Sequence, residues 1–226
     1  MLKLSETKKR FGLFVLGGLV LLFLSNQVDE LKLYQGAFVA TYALAIASII
    51  LLTGYSGQLS LGHSALMAVG AYAAALTTNN LHWHPAIALV VAAFVAGIFG
   101  LLLGSAVARL SGPYLAGTTL ALAVSLPSLA NQFPILGGEQ GLIFDVGAPP
   151  SKFGEEFSQY KWFFWIAALA ALIMIWFVVN IVNSRYGRTF RAMRDNPTAA
   201  ELSGVNVGLH KLLAFTVSSG VAGLAG

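Results

Sequence analysis

The chain has 226 residues, 57% hydrophobic and 10% charged, with thirteen Lys and Arg against nine Asp and Glu. A soluble domain carries roughly 25% charged residues, so this composition, with a mean hydropathy of +0.77, excludes an ordinary water-soluble globule and points to helices that face lipid. A net charge of +4 is then no nucleic-acid signal, and the absence of cysteine excludes disulfides, thiolate metal sites and a cysteine nucleophile.

A bilayer core of about 30 Å needs about 20 helical residues. After Lys8, Lys9 and Arg10, the apolar run 11–25 has the outline of a signal peptide. No small-x-small cleavage site follows it, only Ser25, Asn26, Gln27, Asp29 and Glu30, so it reads as a retained first span. Clear spans follow at 34–53, 85–108 and 162–182. The runs 63–78 and 113–130 are shorter and broken by Gly, Pro, Ser and Thr, as in helices packed inside a bundle and unwound at one end. The final apolar run, 212–226, closes on Ser218, Ser219, Gly220, Val221, Ala222 and Gly223, a pattern typical of a helix interior. The expectation is a single all-α polytopic domain over 1–226, with about six full spans and a seventh cut short, from a longer protein.

Cytoplasmic loops are enriched in Lys and Arg. With the N-terminus inside, the inner segments hold Lys3, Lys8, Lys9, Arg10, Arg109, Arg185, Arg188, Arg191, Arg194 and Lys211, and the outer ones only Lys32, Lys152 and Lys161. The acids Asp29, Glu30, Glu139, Asp145, Glu155 and Glu156 fall outside. This asymmetry predicts a cytoplasmic N-terminus and a cytoplasmic loop over 183–211.

Small residues recur at intervals of four in Ala92, Ala96, Gly100, Gly104 and Ala108, a ridge that admits another helix backbone at close range. No Asp or Glu lies within any predicted span, which argues against ion coupling, since coupled transporters keep such groups at the midplane at about 2.5 to 3.5 kcal/mol each. No Gly-Lys dipeptide occurs, so the phosphate-cradling loop G-x-x-x-x-G-K-[ST] is absent and uphill transport needs energy from another subunit.

Two regions carry candidate chemistry. The uncharged stretch Gly54-Tyr55-Ser56-Gly57-Gln58-Leu59-Ser60-Leu61-Gly62-His63 holds three glycines and resists a regular helix. Irregular backbone at membrane depth is tolerated where it is enclosed by protein or lines a wet cavity. One reading makes it a re-entrant, pathway-facing segment offering Gln58, Ser60 and His63 to a polar solute. The other makes it a tight turn whose glycines supply backbone freedom, with His63 a satisfied interfacial histidine; no metal-ligand spacing accompanies it. Gly54-Tyr55-Ser56-Gly57 also fits the G-x-S-G pattern of intramembrane serine proteases, but no histidine lies between His84 and His210 to serve Ser56 as base.

In the loop 183–211, a helix puts Tyr186, Phe190 and Met193 on one face and Arg188, Arg191 and Arg194 on another, as in an interfacial helix. Asn196 and Pro197 then form an N-cap and first turn, and Gly204 a stop, around a short capped helix. Arginines alone serve topology and anionic headgroups, but orientation needs no second capped helix, so docking of a cytoplasmic partner is the preferred reading.

The run from Gly54 to His63, with Gly70-Ala71-Tyr72, Gly112-Pro113-Tyr114, Thr118-Thr119-Leu120-Ala121, Gly137-Gly138-Glu139-Gln140-Gly141-Leu142, Ser184-Arg185-Tyr186-Gly187-Arg188 and Lys211-Leu212-Leu213-Ala214-Phe215, resembles the M-type permease subunits of branched-chain amino acid ABC importers over most of 36–226. The resemblance implies a bacterial inner-membrane subunit with no cofactor and no enzymatic activity of its own. It implies as partners two cytoplasmic ABC ATPases, a related second permease and an extracytoplasmic substrate-binding protein. Permeases of this kind dock their ATPases through E-A-A-x-x-x-G; Ala199, Ala200 and Gly204 keep that spacing, whereas Thr198 replaces the glutamate. The implied coupling residues are Arg188, Arg191, Arg194, Thr198, Ala199, Ala200, Glu201 and Gly204. The implied pathway residues are Gly54, Gly57, Gln58, Ser60, Gly62, His63, Thr118 and Thr119. The substrate implied is an aliphatic amino acid, with urea or a short amide open, and the rival reading is a transporter or channel that needs no ATPase.

Overall fold

The computed structural model describes residues 2–107, 112–144, 146–150 and 157–226. Ala108 of the small-residue ridge and Arg109, Asp145, Lys152, Glu155 and Glu156 of the charge count lie outside them. No strand occurs among the described residues.

The helices in chain order are α1 (Leu2–Leu24), α2 (Glu30–Ile49), α3 (His63–Leu81), α4 (Pro85–Val107), α5 (Pro113–Ala130), α6 (Gln159–Asn183), α7 (Arg185–Asp195), α8 (Pro197–Leu202) and α9 (Val207–Ala225). A π-helical turn, Ile50–Tyr55, extends α2. Among the described residues, α2 with its π-turn, α4, α5, α6 and α9 are long and apolar enough to cross a membrane. The helices α1 and α3, also expected to span, have 23 and 19 residues and fall outside that set.

The chain divides into two compact units. The first comprises Met1–Ala43 and Val146–Val179. Leu33, Phe164 and Ala168 form its core, with Leu21 and Trp165 packed against them. Polar ends are tied at one level: Lys161 Nζ donates to Asn26 Oδ1 at 2.6 Å and Trp165 Nε1 to Ser25 Oγ at 3.0 Å. Tyr34 and Tyr160 meet edge to face there, 5.6 Å between centroids, in the manner of aromatic anchors at a membrane interface.

The second unit, Leu44–Asp145 with Asn180–Gly226, carries every candidate site residue. Its centre is α9, and the small-residue ridge of α4 packs on it. A Cβ built at Gly100 would meet the Ser219 side chain, one at Gly104 would lie 2.9 Å from Leu212, and one at Gly223 would run into Ala96. Rising residue numbers on α4 meet falling ones on α9, so the two run antiparallel. Helix α3 crosses α9 still more closely, where Gly70 faces the backbone of Gly223. With little hydrophobic drive between helices in lipid, such backbone proximity supplies the packing contact that holds the bundle.

Candidate functional site

The segment after α2 begins with a change of helical period. Ser56 N bonds the Leu51 carbonyl at 3.3 Å, five residues back, the spacing of a π-turn, which recurs at functional sites. Widening the last turn frees carbonyls that a helix end must satisfy elsewhere. Leu52 O accepts from Gln58 N at 3.2 Å and from Ser56 Oγ at 2.9 Å. Gly54 O accepts from Arg194 Nη1 at 2.7 Å.

From Ser56 to Gly62 the chain is non-helical, with alternate residues enclosed: Gln58 and Ser60 are buried whereas Leu59 and Leu61 face outward. This inverts the usual sense, polar side chains pointing into the bundle. Gln58 Nε2 donates to Ser56 Oγ at 2.8 Å and to the Lys211 carbonyl at 3.0 Å. Leu61 N donates to Thr119 Oγ1 at 3.0 Å. Gly62 precedes α3, and a Cβ there would lie 2.6 Å from the Thr119 carbonyl, so glycine is what lets α5 approach. His63 Nε2 lies 3.0 Å from Ser218 Oγ. Ser218 spends its one hydroxyl hydrogen on the Ser48 carbonyl at 2.7 Å, which makes His63 Nε2 the donor and leaves Nδ1 a buried acceptor without a partner. The segment meets α9 at Lys211 and again at Ser218, about 10 Å further along that helix at 1.5 Å per residue, so it runs buried along about two turns of α9.

Of the residues expected to line a pathway, Gln58, Ser60, Gly62, His63 and Thr119 come together in this buried strip. Gly54 and Gly57, both exposed, stand where the strip begins. Thr118 does not join: it is exposed on α5 and bonds its own helix at Tyr114 O. Ser56, the serine of the protease pattern, is held by Leu52 O and Gln58, while His63 is committed to Ser218.

The loop over 183–211 forms the expected helix pair. Ser184 caps α7 by accepting from Tyr186 N at 3.1 Å, and Phe190 and Met193 are buried beneath it. Tyr186, expected on that buried face, is instead half-exposed, with the Arg185 guanidinium 5.0 Å from its ring. Arg188 is exposed; Arg191 lies 5.9 Å from the ring of Tyr55 and bonds Gly187 O at 3.3 Å. Asn196 caps α8 through Ala199 N at 3.0 Å with Pro197 in the first turn. At its end Val205 N bonds Ala200 O and Gly204 N bonds Glu201 O, with Gly204 at φ +83, a Schellman motif. Ala200 is buried, while Thr198, Ala199, Glu201 and Leu202 point outward, Leu202 being 86% exposed. Sequence patterning gave this leucine no role; its signal was a single large apolar residue at the end of a short capped helix of small and polar residues.

Helices long and apolar enough to cross a membrane, with a buried polar strip among them and a short capped helix beside them, are the features of a multi-pass membrane protein. The family described as the branched-chain amino acid transport system permease component matches residues 33–226, and the chain belongs to it. It is a multi-pass membrane protein. Over 209 residues the chain is 31% identical to the high-affinity branched-chain amino acid transport system permease protein LivM of Escherichia coli, covering 82% of this chain and 49% of that protein. It is 29% identical over 222 residues to the fructose import permease protein FrcC of Rhizobium meliloti, covering 96% and 58% respectively. It is 30% identical over 147 residues to the galactose/methyl galactoside import permease protein MglC of Escherichia coli, covering 59% and 40%. The chain thus spans about half the length of the curated relatives it matches. No solved structure matches it.

Proposed function

We propose that this chain is a membrane-spanning subunit of an ATP-binding cassette importer, that its second unit forms part of the pathway for a branched-chain amino acid, and that α8 docks a cytoplasmic ATPase. The observation that carries this reading is α8 itself: six residues, capped at both ends, with Ala199 and Leu202 outward. An exposed leucine beside small residues on a rigid knob suits an apolar groove on a partner, where burying its side chain contributes about 1.5 to 3 kcal/mol. A related second permease, a second ATPase and an extracytoplasmic binding protein complete the assembly. The cytoplasmic N-terminus, and with it the placement of α7 and α8 inside, rests on the arginine asymmetry.

The solute reading rests on the relatives and on an apolar groove of about 430 Å³ between α3, α4 and α5, lined by Tyr72, Val91, Leu126 and Phe133 among others. Such a lining suits an aliphatic side chain. Likeness to the fructose and galactose import permeases favours a second reading, a monosaccharide, which would draw its hydrogen bonds from the Gln58 to Thr119 strip. Competition of labelled leucine uptake by unlabelled leucine or fructose separates the two.

Docking is tested by Leu202→Asp. The native chain, purified from its own membranes, is expected to bring an ATPase with it, and the variant to lose at least about tenfold of that partner, as for a buried anchor. Retention of the ATPase at the native level would refute the assignment of α8.

A further inference from the structure

The coupling residues and the pathway residues, distant in sequence, are joined at one side chain. Arg194 Nη1 donates to the Gly54 carbonyl at 2.7 Å, the group left over by the π-turn. Its Nε and Nη2 both reach Asp195 Oδ1, at 2.9 and 2.8 Å. Its aliphatic stem lies on Gly57, where a Cβ would be 2.6 Å from Arg194 Cγ. Gly57 also sits at φ +72, so glycine is required there for two independent reasons, backbone conformation and clearance for the arginine. One turn earlier on α7, the Arg191 guanidinium lies beside Tyr55 of the same π-turn.

From these contacts we infer that Arg194 is the positioning residue through which movement of α8 reaches the buried polar strip. This rests on the docking role of α8 proposed above. The route is short. Asn196, in extended conformation at φ −154, is both the end of α7 and the N-cap of α8. Asp195 immediately before it holds two nitrogens of the guanidinium, and the third side of that plane holds Gly54. A displacement of α8 that passes through Asn196 to α7, without a hinge there, therefore carries Asp195, Arg194 and the π-turn together. Beyond the π-turn the chain continues through Gln58, bound to α9 at Lys211, to His63, bound to α9 at Ser218. The Arg194 side chain is 42% exposed and that of Asp195 65%, so their ion pair adds little stability in water. Its consequence is orientation: the planar fork is aimed at one carbonyl. Lysine, a point charge on a flexible stem, cannot hold both partners in that plane.

The test uses the complete transporter, purified with its ATPase and reconstituted, and reads solute moved per ATP hydrolysed. Arg194→Met is expected to lower that ratio about tenfold, in the lower part of the range for site-to-site coupling. Gly57→Ala, which pries the stem away, is expected to do the same, and the double variant to fall no further than either single one. Arg194→Lys is expected to recover part of the loss at most. A purely structural cap predicts altered thermal stability with an unchanged ratio, and that result overturns the inference, as do additive losses in the double variant.

A second readout needs no loss of function. The chain has no cysteine, so a spin-label pair can be placed by Ala192→Cys with Leu59→Cys. The distance between the labels is expected to stay the same with and without bound nucleotide, and to broaden once Arg194→Met is added. Separation of the pair on nucleotide binding with Arg194 in place overturns the inference even where the methionine variant fails to assemble. Failure of the native chain to retain any ATPase strikes instead at the docking role of α8.

Discussion

Gly70→Val is expected to destabilise the protein by about 3 kcal/mol, the upper end of overpacking costs, and to abolish a defined thermal transition in detergent. The first side-chain carbon at this position falls on the carbonyl of Gly223, so the clash is with backbone, which cannot swing aside. Helix α9 would have to withdraw from α3, and because Gly223 also meets Ala92 and Ala96 of α4, the contact with the α4 ridge would be disturbed as well. Two glycines provide the control. A Cβ at Gly97 finds no atom closer than 3.8 Å and one at Gly117 none within 4 Å. Both lie in helix, where alanine is favoured over glycine by about 0.5 to 1 kcal/mol, so Gly97→Ala and Gly117→Ala are expected to be neutral or to raise the midpoint. Thermal unfolding of the three variants side by side reads the difference.

Gly187→Val is expected to detach α7 while leaving the spans folded. The chain turns sharply at Ser184, whose hydroxyl donates to Ile181 O at 2.6 Å and accepts from Tyr186 N, and this folds the first turn of α7 back on the end of α6. A Cβ at Gly187 would overlap the Val182 carbonyl, again backbone. Opening the corner exposes Phe190 and Met193, each 2% accessible in the native fold, and forfeits about 3 kcal/mol of local burial. Limited trypsin digestion is the measurement. In the native protein the arginines of α7 are exposed but helical and are expected to resist cleavage; in the variant, cutting after Arg188 and Arg191 is expected to precede any cut in the rest of the chain. Equal resistance of both proteins would show that the corner tolerates the branched side chain.

What could be read from sequence followed from local chemistry. Span positions came from runs of apolar residues, and the α8 boundaries from Asn196, Pro197 and Gly204, because capping is decided within a few residues. The irregular stretch after α2 was legible from its glycines, although the π-turn that carries Gly54 and Tyr55 was not, since a wider helical turn leaves the apolar pattern unchanged. The ridge on α4 was visible but its partner was not: small residues state that a backbone comes close without stating which one, and α9 is more than a hundred residues away. The choice between Thr118 and Thr119 turns on helical rotation. Neighbours on a helix point about 100° apart, so one reaches Leu61 and the other faces away. Contacts such as Arg194 with Gly54 and Gln58 with Lys211 join residues 140 and 153 positions apart, and no local pattern encodes them.

As proposed above, the membrane bundle draws its energy from outside itself. Uptake of labelled leucine into sealed vesicles containing the purified transporter, with ATP present or withheld and an ion gradient held constant, tests this most directly. The prediction is accumulation only with ATP and with an ATPase attached; accumulation by this polypeptide without nucleotide would contradict it.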